Sequence, residues 1–276
     1  MDIHVADEQA YVLRETLSWE QVKEKAWDRK TTVFGTLSRL FVKGEDIEIS
    51  YAERRYEPFW HIVCSAHYVY DRNRTWHILV GGSEVKRLTI RDEDFDVPPD
   101  RQQVDISGVE HCREDHERDV IIDATSGEPQ DWAEYLTYHA EHIDLESFAP
   151  EESIVVPPQV RASSMVRQVL SEMLKPVQAD VVLEEEVSVR NIDLYYRPIY
   201  AFEYHWHTKD KHAVVEFDGL SGEMRRGGKA LRQQLSHVFT REVLFDVGAD
   251  MVGMLIPGGS VAIKVAKAVA DSRDAS

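Results

Sequence analysis

Two stretches of the chain, 140 residues apart, repeat one pattern of strand-forming residues. VKGEDIEISYAERRYEPFWHIVCSAH (42–67) aligns without a gap with VLEEEVSVRNIDLYYRPIYAFEYHWH (182–207). Most apolar positions match in kind, and five positions are identical: Val42/Val182, Glu45/Glu185, Tyr56/Tyr196, Pro58/Pro198 and His67/His207. The alignment predicts that the chain contains two related units, each built around a long stretch of strand.

A second repeat supports the first. VIIDATSGE (120–128) and VVEFDGLSGE (214–223) both end an apolar strand with Asp-x-x-Ser-Gly-Glu. The aspartate of each can accept backbone N–H groups in an Asx-turn, and the glycine supplies a positive φ. Turns of this kind also recur in unrelated sheets, so the second repeat alone does not establish two related units.

The pattern predicts an α+β fold of two related units, each a helix followed by an antiparallel meander. Residues 17–31 and 161–174 have helical spacing, with Ser18 as N-cap of the first helix, and a third helix is predicted at 130–143. Strands are expected near residues 39–51, 57–70, 75–80 and 84–90 of the first unit, and near 181–190, 195–207 and 211–218 of the second.

These elements divide the chain into four parts. In order, they are a first unit at 1–147 with an acidic insert at 91–118, a linker with three prolines at 148–159, a second unit at 160–228, and a helical hairpin at 229–276. Pro257 and two glycines separate the two helices of the hairpin.

The C-terminal hairpin has one apolar side. Val261, Val265 and Val269 recur every four residues, and together with Leu255 they form a candidate interaction surface. This surface must be covered by the sheets, by another copy of the chain or by lipid. In the last case residues 243–270 would lie on a membrane surface, with the lysines beside the valines near the headgroups.

AFEYHWHTKDKHAVVEF (201–217) contains three histidines and two glutamates. Side chains alternate along a strand, so His205 and His207 share a face with Glu203, and the aromatic residues occupy the other face. A hairpin that pairs His207 with His212 would bring these groups together, and they could bind zinc or a similar divalent metal. The alternative is a solvated histidine face, because a flat sheet converges poorly on a tetrahedral centre.

Other chemically reactive residues give weaker signals. Cys112 and His116 in HCREDHERD (111–119) could face one ion if the segment is helical, and an exposed charged loop is the alternative. Cys64 lies on the apolar face of its strand, which favours a small core residue over a reactive thiol. No phosphate-binding loop, dinucleotide fingerprint, zinc-protease motif or nucleophile elbow occurs, so we predict no catalytic residues and no organic cofactor.

Charge and cysteine content narrow the class of protein. Fifty acidic and 32 basic residues give a net charge of −18, which disfavours nucleic acid and anionic lipid and favours basic partners. With only two cysteines, a disulfide framework is excluded, and the acidic N-terminal sequence lacks the features of a signal peptide. We therefore expect a cytoplasmic protein that does not bind nucleic acid.

YYRPIYAFEYHWHTKDKHAVVEFDGLSGEM (195–224) resembles PepSY-type modules, in which a strand, a turn and a second strand end in Asp-x-x-Thr/Ser-Gly-Glu/Lys. Residues 120–128 match the same pattern more loosely. The resemblance implies a small helix-plus-sheet module that binds, inhibits or scaffolds other proteins. PepSY-type modules are often extracytoplasmic, which the N-terminal sequence does not support.

The leading hypothesis is a non-enzymatic interaction or assembly module. It would bind a protein partner or a second copy of the chain through its sheet faces and its C-terminal hairpin. Two alternatives stay open. One is a metal-dependent enzyme or metal sensor that uses the face of His205, His207 and His212, and the other is a peripheral membrane protein anchored by the C-terminal amphipathic helix.

Overall fold

The computed structural model describes residues 2–35, 44–228, 244–245 and 264–267. Within these residues strand accounts for 52% and helix for 17%. One eleven-stranded mixed sheet contains every described strand except a separate two-stranded hairpin. The predicted α+β class, with two helix-plus-meander units and a C-terminal helical hairpin, is therefore wrong, and the fold is mostly β.

The strands follow one another along the whole chain. In order, they are β1 (Asp2–Val5), β2 (Gln9–Leu13), β3 (Ile47–Leu79), β4 (Arg87–Ile90), β5 (Glu93–Asp96), β6 (Gln103–Asp123), β7 (Pro129–Gln130), β8 (Ala140–His142), β9 (Ile154–Val155), β10 (Val181–Trp206), β11 (Lys211–Asp218), β12 (Met224–Arg226) and β13 (Lys264–Lys267). Helix α1 spans Trp19–Arg29 and helix α2 spans Ala162–Met173.

Two long strands, β3 with 33 residues and β10 with 26, form the centre of the sheet. They pair antiparallel from Asp71 opposite Val181 to Ile47 opposite Trp206. The main strand order is β12-β11-β10-β3-β6-β7, so each half of the chain contributes three neighbouring strands. The two predicted meanders form one sheet because β3 of the first half pairs with β10 of the second half.

The register of the central pair defines a pseudo-two-fold axis. At the repeat offset of 140 residues, Glu57 is the equivalent of Arg197, and these two residues lie directly opposite each other. In an antiparallel pair a local two-fold axis perpendicular to the sheet passes between directly opposed residues. The axis of the repeat therefore runs between Glu57 and Arg197.

Strands on both sides of the central pair obey this symmetry. Phe59 pairs with Asp123 at the end of β6, and its equivalent Ile199 pairs with Asp218 at the end of β11. The parallel pairing of β2 with β10 has its counterpart in the pairing of β9 with β3. Near the axis, the strands of the two halves thus share their order and their register.

Each helix packs on the strands of the opposite half. Helix α1 buries Val22 and Ala26 against aromatic residues of β10, and the Tyr204 hydroxyl donates to the Ala26 carbonyl at 2.8 Å. Helix α2 buries a stripe from Met165 to Met173 against β3 and β6. The sequence predicts that each helix lies on its own meander, whereas the structure exchanges the helices between the halves.

The two Asp-x-x-Ser-Gly-Glu turns hold the residues that lead into the opposite helix. In both turns an aspartate Oδ1 accepts two backbone N–H groups, as predicted for an Asx-turn. The Gly219 carbonyl accepts the N–H groups of Thr16 and Leu17, which precede α1. The Ala124 carbonyl accepts the N–H groups of Gln159 and Val160, which precede α2. Each turn therefore positions the helix of the other half.

Two of the three predicted helices are confirmed. Ser18 caps α1 in a capping box, and α2 lies within the predicted range 161–174. The predicted helix at 130–143 is wrong, because a 3-10 helix at Ala133–Thr137 leads into β8, which pairs with β2. Burial of Tyr135 beside Phe59 on the sheet overrides the helical spacing of this segment.

Little of the predicted C-terminal hairpin lies within the described residues. Val265 belongs to β13, which pairs parallel with β1, so a helix through Val265 is wrong. The exposed edge of β1 offers this segment a ladder of hydrogen bonds. Leu255, Val261 and Val269 lie outside the described residues. In the part of the chain that the structure describes, no helix has the length and apolarity needed to cross a bilayer.

Replacing Gly222 by alanine tests the contact between the second turn and the chain before α1. Gly222 has a φ of +73°, and an added Cβ would lie 2.6 Å from the Leu17 Cδ1 atom. The left-handed conformation and this overlap should together lower the free energy of unfolding by about 2 kcal/mol. Urea unfolding measures the loss. Gly81→Ala is the control, because no atom lies within 4 Å of its added Cβ.

Candidate functional site

Three histidines meet at the end of the β10–β11 hairpin. The turn consists of a 3-10 helix at His207–Lys209 followed by Asp210, which has a φ of +48°. It sets His205 opposite His212. The predicted pairing of His207 with His212 is therefore wrong by two residues, although the residues that share each face are the predicted ones. The turn begins one residue earlier than expected because Asp210 adopts the left-handed conformation that aspartate tolerates.

The three imidazoles lie in contact. The His205 ring is stacked on His212 with centroids 4.3 Å apart, and it meets His207 edge-on at 4.4 Å. Each ring also has a carboxylate partner. His205 Nε2 lies 3.2 Å from Asp210 Oδ1, His207 Nε2 lies 3.0 Å from Glu48 Oε1, and His212 Nδ1 lies 3.1 Å from Glu203 Oε1.

The structure thus brings together the three histidines of the predicted metal set, with Glu203 beside His212, and it adds Asp210 and Glu48. Sequence reasoning missed Glu48 because it reaches the cluster from β3, where it lies opposite His205. Aligning the two repeats antiparallel about Glu57 would have placed Ile49 opposite His205, because the register shifts by one residue between Glu203 and Tyr204. We name the group of His205, His207, His212, Asp210, Glu203 and Glu48 the histidine cluster.

A network of buried ion pairs surrounds the pseudo-two-fold axis on the sheet face opposite the helices. Arg197 Nη2 donates to Glu57 Oε2 at 2.9 Å, and its Nη1 donates to the Tyr135 hydroxyl at 3.0 Å. The Tyr135 hydroxyl in turn donates to the buried Asp218 carboxylate. Burial raises the pKa of Tyr135 to about 12, which keeps this proton on the phenol. The guanidinium of Arg197 also covers the Trp132 ring at 4.0 Å.

Arg55 extends the network along β3. It forms ion pairs with Glu53 at 3.0 Å, with Glu57 at 2.7 Å and with Glu216 at 2.5 Å. Burial acts to lower the pKa of Arg55, but the surrounding carboxylates outweigh it and raise that pKa. Glu57 is paired with both arginines, so it joins the ion pairs of Arg55 to those of Arg197. Each buried arginine is held by carboxylates, which is expected of a structural network of charges.

A two-stranded arm extends beyond the central sheet. We define the arm as residues 72–110. In the arm, β3 and β6 pair from Arg72 opposite Glu110 to Leu79 opposite Gln103. The first residue of β10, Val181, lies opposite Asp71, so β10 does not extend into the arm. The predicted acidic insert at 91–118 falls largely on β5 and β6. Within the repeat, the first half uses residues 67–115 where the second half has only the turn His207–Asp210.

Exposed apolar side chains concentrate on and beside the arm. Eight large hydrophobic residues of the described part are exposed, and seven of them lie in this region. Those on the arm are Trp76, Ile78, Leu79 and Val109, and those at the adjacent start of β10 are Val181, Val182 and Leu183. Because large exposed apolar patches mark sites of association, this concentration makes the arm a candidate binding surface.

The other candidate residues lie apart from one another. Cys112 and His116 both belong to β6, where four residues span about 13 Å, so they do not share one ion. Cys112 Sγ donates to the Glu110 carbonyl, and His116 is bonded to Glu114. Cys64 is fully buried in the core, as predicted.

Compared with protein-family models, with curated proteins and with solved structures, the chain shows no significant similarity to any of them. The resemblance of residues 195–224 to PepSY-type modules therefore stays a prediction. The function has to be inferred from the chemistry of the arm and of the histidine cluster.

Replacing Arg197 by methionine tests the network at the axis. The variant removes the cation beside the buried Asp218 and one of the two arginines paired with Glu57, which should lower the free energy of unfolding by about 3 kcal/mol. Chemical denaturation measures the change. Arg190→Met is the matched control, because Arg190 forms an exposed ion pair with Glu117, and its loss should cost less than about 0.5 kcal/mol. Equal losses would contradict a structural role for the network.

The two free thiols should differ in reactivity. Burial raises the pKa of Cys64 to about 12, whereas Cys112 lies on the partly exposed β6. A thiol reagent at pH 8 should modify Cys112 in the folded protein, and it should modify Cys64 only after denaturation, because the thiolate is the reactive form. Mass spectrometry of the two cysteine peptides distinguishes the sites. Rapid labelling of Cys64 in the folded state would show that the core opens.

Proposed function

We propose that the chain is an interaction module that binds an extended segment of a partner protein along the free edge of β3 in the arm. The concentration of exposed apolar residues on and beside the arm carries this proposal. A two-stranded ribbon is marginally stable by itself and presents unpaired backbone groups. A third strand added to its edge would satisfy those groups and cover the apolar side chains.

The backbone of the arm is oriented for such an addition. The N–H of Asp180 donates to the Asp71 carbonyl, and the Asp180 carboxylate accepts the N–H of Asn73 at 2.5 Å. In an antiparallel pair, the backbone N–H and C=O groups of every second residue point to the same edge of the strand. The backbone groups of Thr75 and His77 therefore point to the same edge of β3 as those of Asp71 and Asn73. Beyond Asp180 no strand of the described residues occupies that edge.

The outer edge of β6 is a poorer docking site. Immediately below the arm, residues 111–119 of β6 read HCREDHERD, and charged side chains on an edge strand oppose pairing with another chain. Within the arm, β3 carries the exposed Trp76, Ile78 and Leu79. The apolar start of β10 lies next to the same edge, so a bound strand would contact both.

The chemistry of the site indicates the kind of partner. Trp76 and Ile78 share one face of the ribbon, while Thr75 and His77 share the other. A segment that alternates apolar and polar side chains would match both faces. Asp71, Asp180 and the run Glu184–Glu186 surround the end where β10 begins, so basic residues at that end of the segment would be attracted. The net charge of −18 opposes binding of a second copy.

We further propose that this binding takes place in the cytoplasm. Both cysteines are free, which suits a reducing compartment. The resemblance to PepSY-type modules, which implies binding or scaffolding of proteins, agrees with the interaction function but not with their frequent extracytoplasmic location.

Site-specific photo-crosslinking tests the proposal. A photoreactive amino acid at Leu79, in the full-length protein produced in its native cells, should crosslink to a different protein. Thr75→Pro removes an outward-facing N–H that β6 does not use, so it should abolish the crosslink while changing the urea midpoint little.

Thr75→Val is the matched control, because it loses the same side-chain bond to Ser107 but keeps the backbone N–H. It should retain the crosslink. Equal crosslinking of the proline and valine variants would contradict capture by the β3 edge. Crosslinks only between copies of the chain would contradict a different protein as partner.

A further inference from the structure

We propose that the histidine cluster is a binding site for one divalent transition metal of the zinc class. Its ligands are the imidazoles of His205, His207 and His212 and the carboxylate of Asp210. Three nitrogen ligands and one oxygen ligand are a donor set that zinc accepts in tetrahedral geometry. The site lies at the opposite end of the central strand pair from the arm, so it is independent of the proposed function.

The spacing of the donor atoms suits such an ion. Ligand atoms of His205, Asp210 and His212 lie within 4.8 Å of one another, and those of His205 and His207 are equally close in a second group with Glu48. With zinc–ligand bonds of about 2.1 Å, neighbouring ligands of a tetrahedral ion lie about 3.4 Å apart. The distance of 3.2 Å between His205 Nε2 and Asp210 Oδ1 is already close to that value.

The two other carboxylates occupy supporting positions. Glu203 contacts His212 at Nδ1, which leaves Nε2 of that ring for the ion, and Glu48 contacts His207 at Nε2, which leaves Nδ1. Metal-bound histidines usually donate their second N–H to a carboxylate, which orients the ring and makes it a better ligand. Glu203 and Glu48 are thus positioning residues for the ligand histidines.

The hairpin itself supplies what a flat sheet lacks. His205 and His212 are cross-strand neighbours, while His207 and Asp210 begin and end the turn above them. Two of the four ligands therefore belong to the turn and two belong to the paired strands. The predicted objection to a flat sheet applies to His205 and His212, whose rings stack at an interplanar angle of 7° and must rotate to bind one ion.

The repeat provides an internal comparison. His67 is the equivalent of His207 and is also paired with carboxylates, Asp115 at 2.6 Å and Glu184 at 3.5 Å. Within the described residues, however, His67 belongs to no group of three or more ligand side chains that could hold an ion. A histidine with acidic neighbours is common to both halves, and the cluster of three imidazoles is specific to the second.

Calorimetric titration of the metal-free full-length protein with Zn²⁺ tests this site. An excess of Mg²⁺ is present throughout, because the acidic surface attracts any divalent cation whereas Mg²⁺ prefers oxygen ligands. We expect one Zn²⁺ per chain. His205→Ala should weaken binding at least about 100-fold, and Glu48→Gln should weaken it about tenfold. His67→Ala is the matched control and should bind Zn²⁺ as the unaltered protein does.

Two further measurements guard against a folding artefact. Circular dichroism should show that His205→Ala and the milder His212→Asn keep the native spectrum. Co²⁺ should give the intense visible absorption of a tetrahedral site in the unaltered protein and in His67→Ala, and only weak absorption in His212→Asn. Absence of stoichiometric Zn²⁺ binding, its displacement by Mg²⁺, or equal loss in His67→Ala and His205→Ala would overturn the proposal.

Discussion

The antiparallel pairing of β3 with β10 is the constraint on which the rest of the structure depends. Because equivalent residues of the two halves meet at Glu57 and Arg197, the flanking strands are placed symmetrically, and the helices come to lie on the opposite halves. The Tyr200 hydroxyl and its repeat equivalent, the Trp60 indole, both donate to a carbonyl just before a helix, at Leu17 and Val160 respectively. Neither half can complete its core without the other.

The two halves differ in sequence at the axis, where identical charged residues would repel each other, and in structure at the far ends of their hairpins. Identical residues at the axis would set like charges opposite each other in a partly buried position, which is destabilising. Glu57 and Arg197 instead form an ion pair. At the far ends of the hairpins no such restraint applies. The first half carries the arm there, and the second half carries the histidine cluster on a short turn, so one repeated framework presents two different surfaces.

The period-two alternation in 182–217 and the 140-residue offset were sufficient to predict strands in both halves, the inward aromatic face and four of the six residues of the histidine cluster. They could not predict that the two halves form one sheet. The pairing of β3 with β10 depends on backbone hydrogen bonds, which the side-chain pattern does not reveal. The buried charges were missed for a related reason. Glu53, Arg55 and Glu57 alternate as a solvated face would, and only tertiary contacts bury Glu53 and Arg55. The helix predicted at 130–143 failed because Tyr135 is held by the sheet.

Cleavage of the chain between its halves tests the interdependence of the halves most directly. A site for a specific protease, inserted between the exposed residues Glu151 and Glu152, allows the folded full-length protein to be nicked. Because each helix packs on the strands of the opposite half, we expect the two fragments to stay together in size-exclusion chromatography and to unfold in one transition in urea. Separation of the fragments into two folded species, or two independent unfolding transitions, would contradict the account.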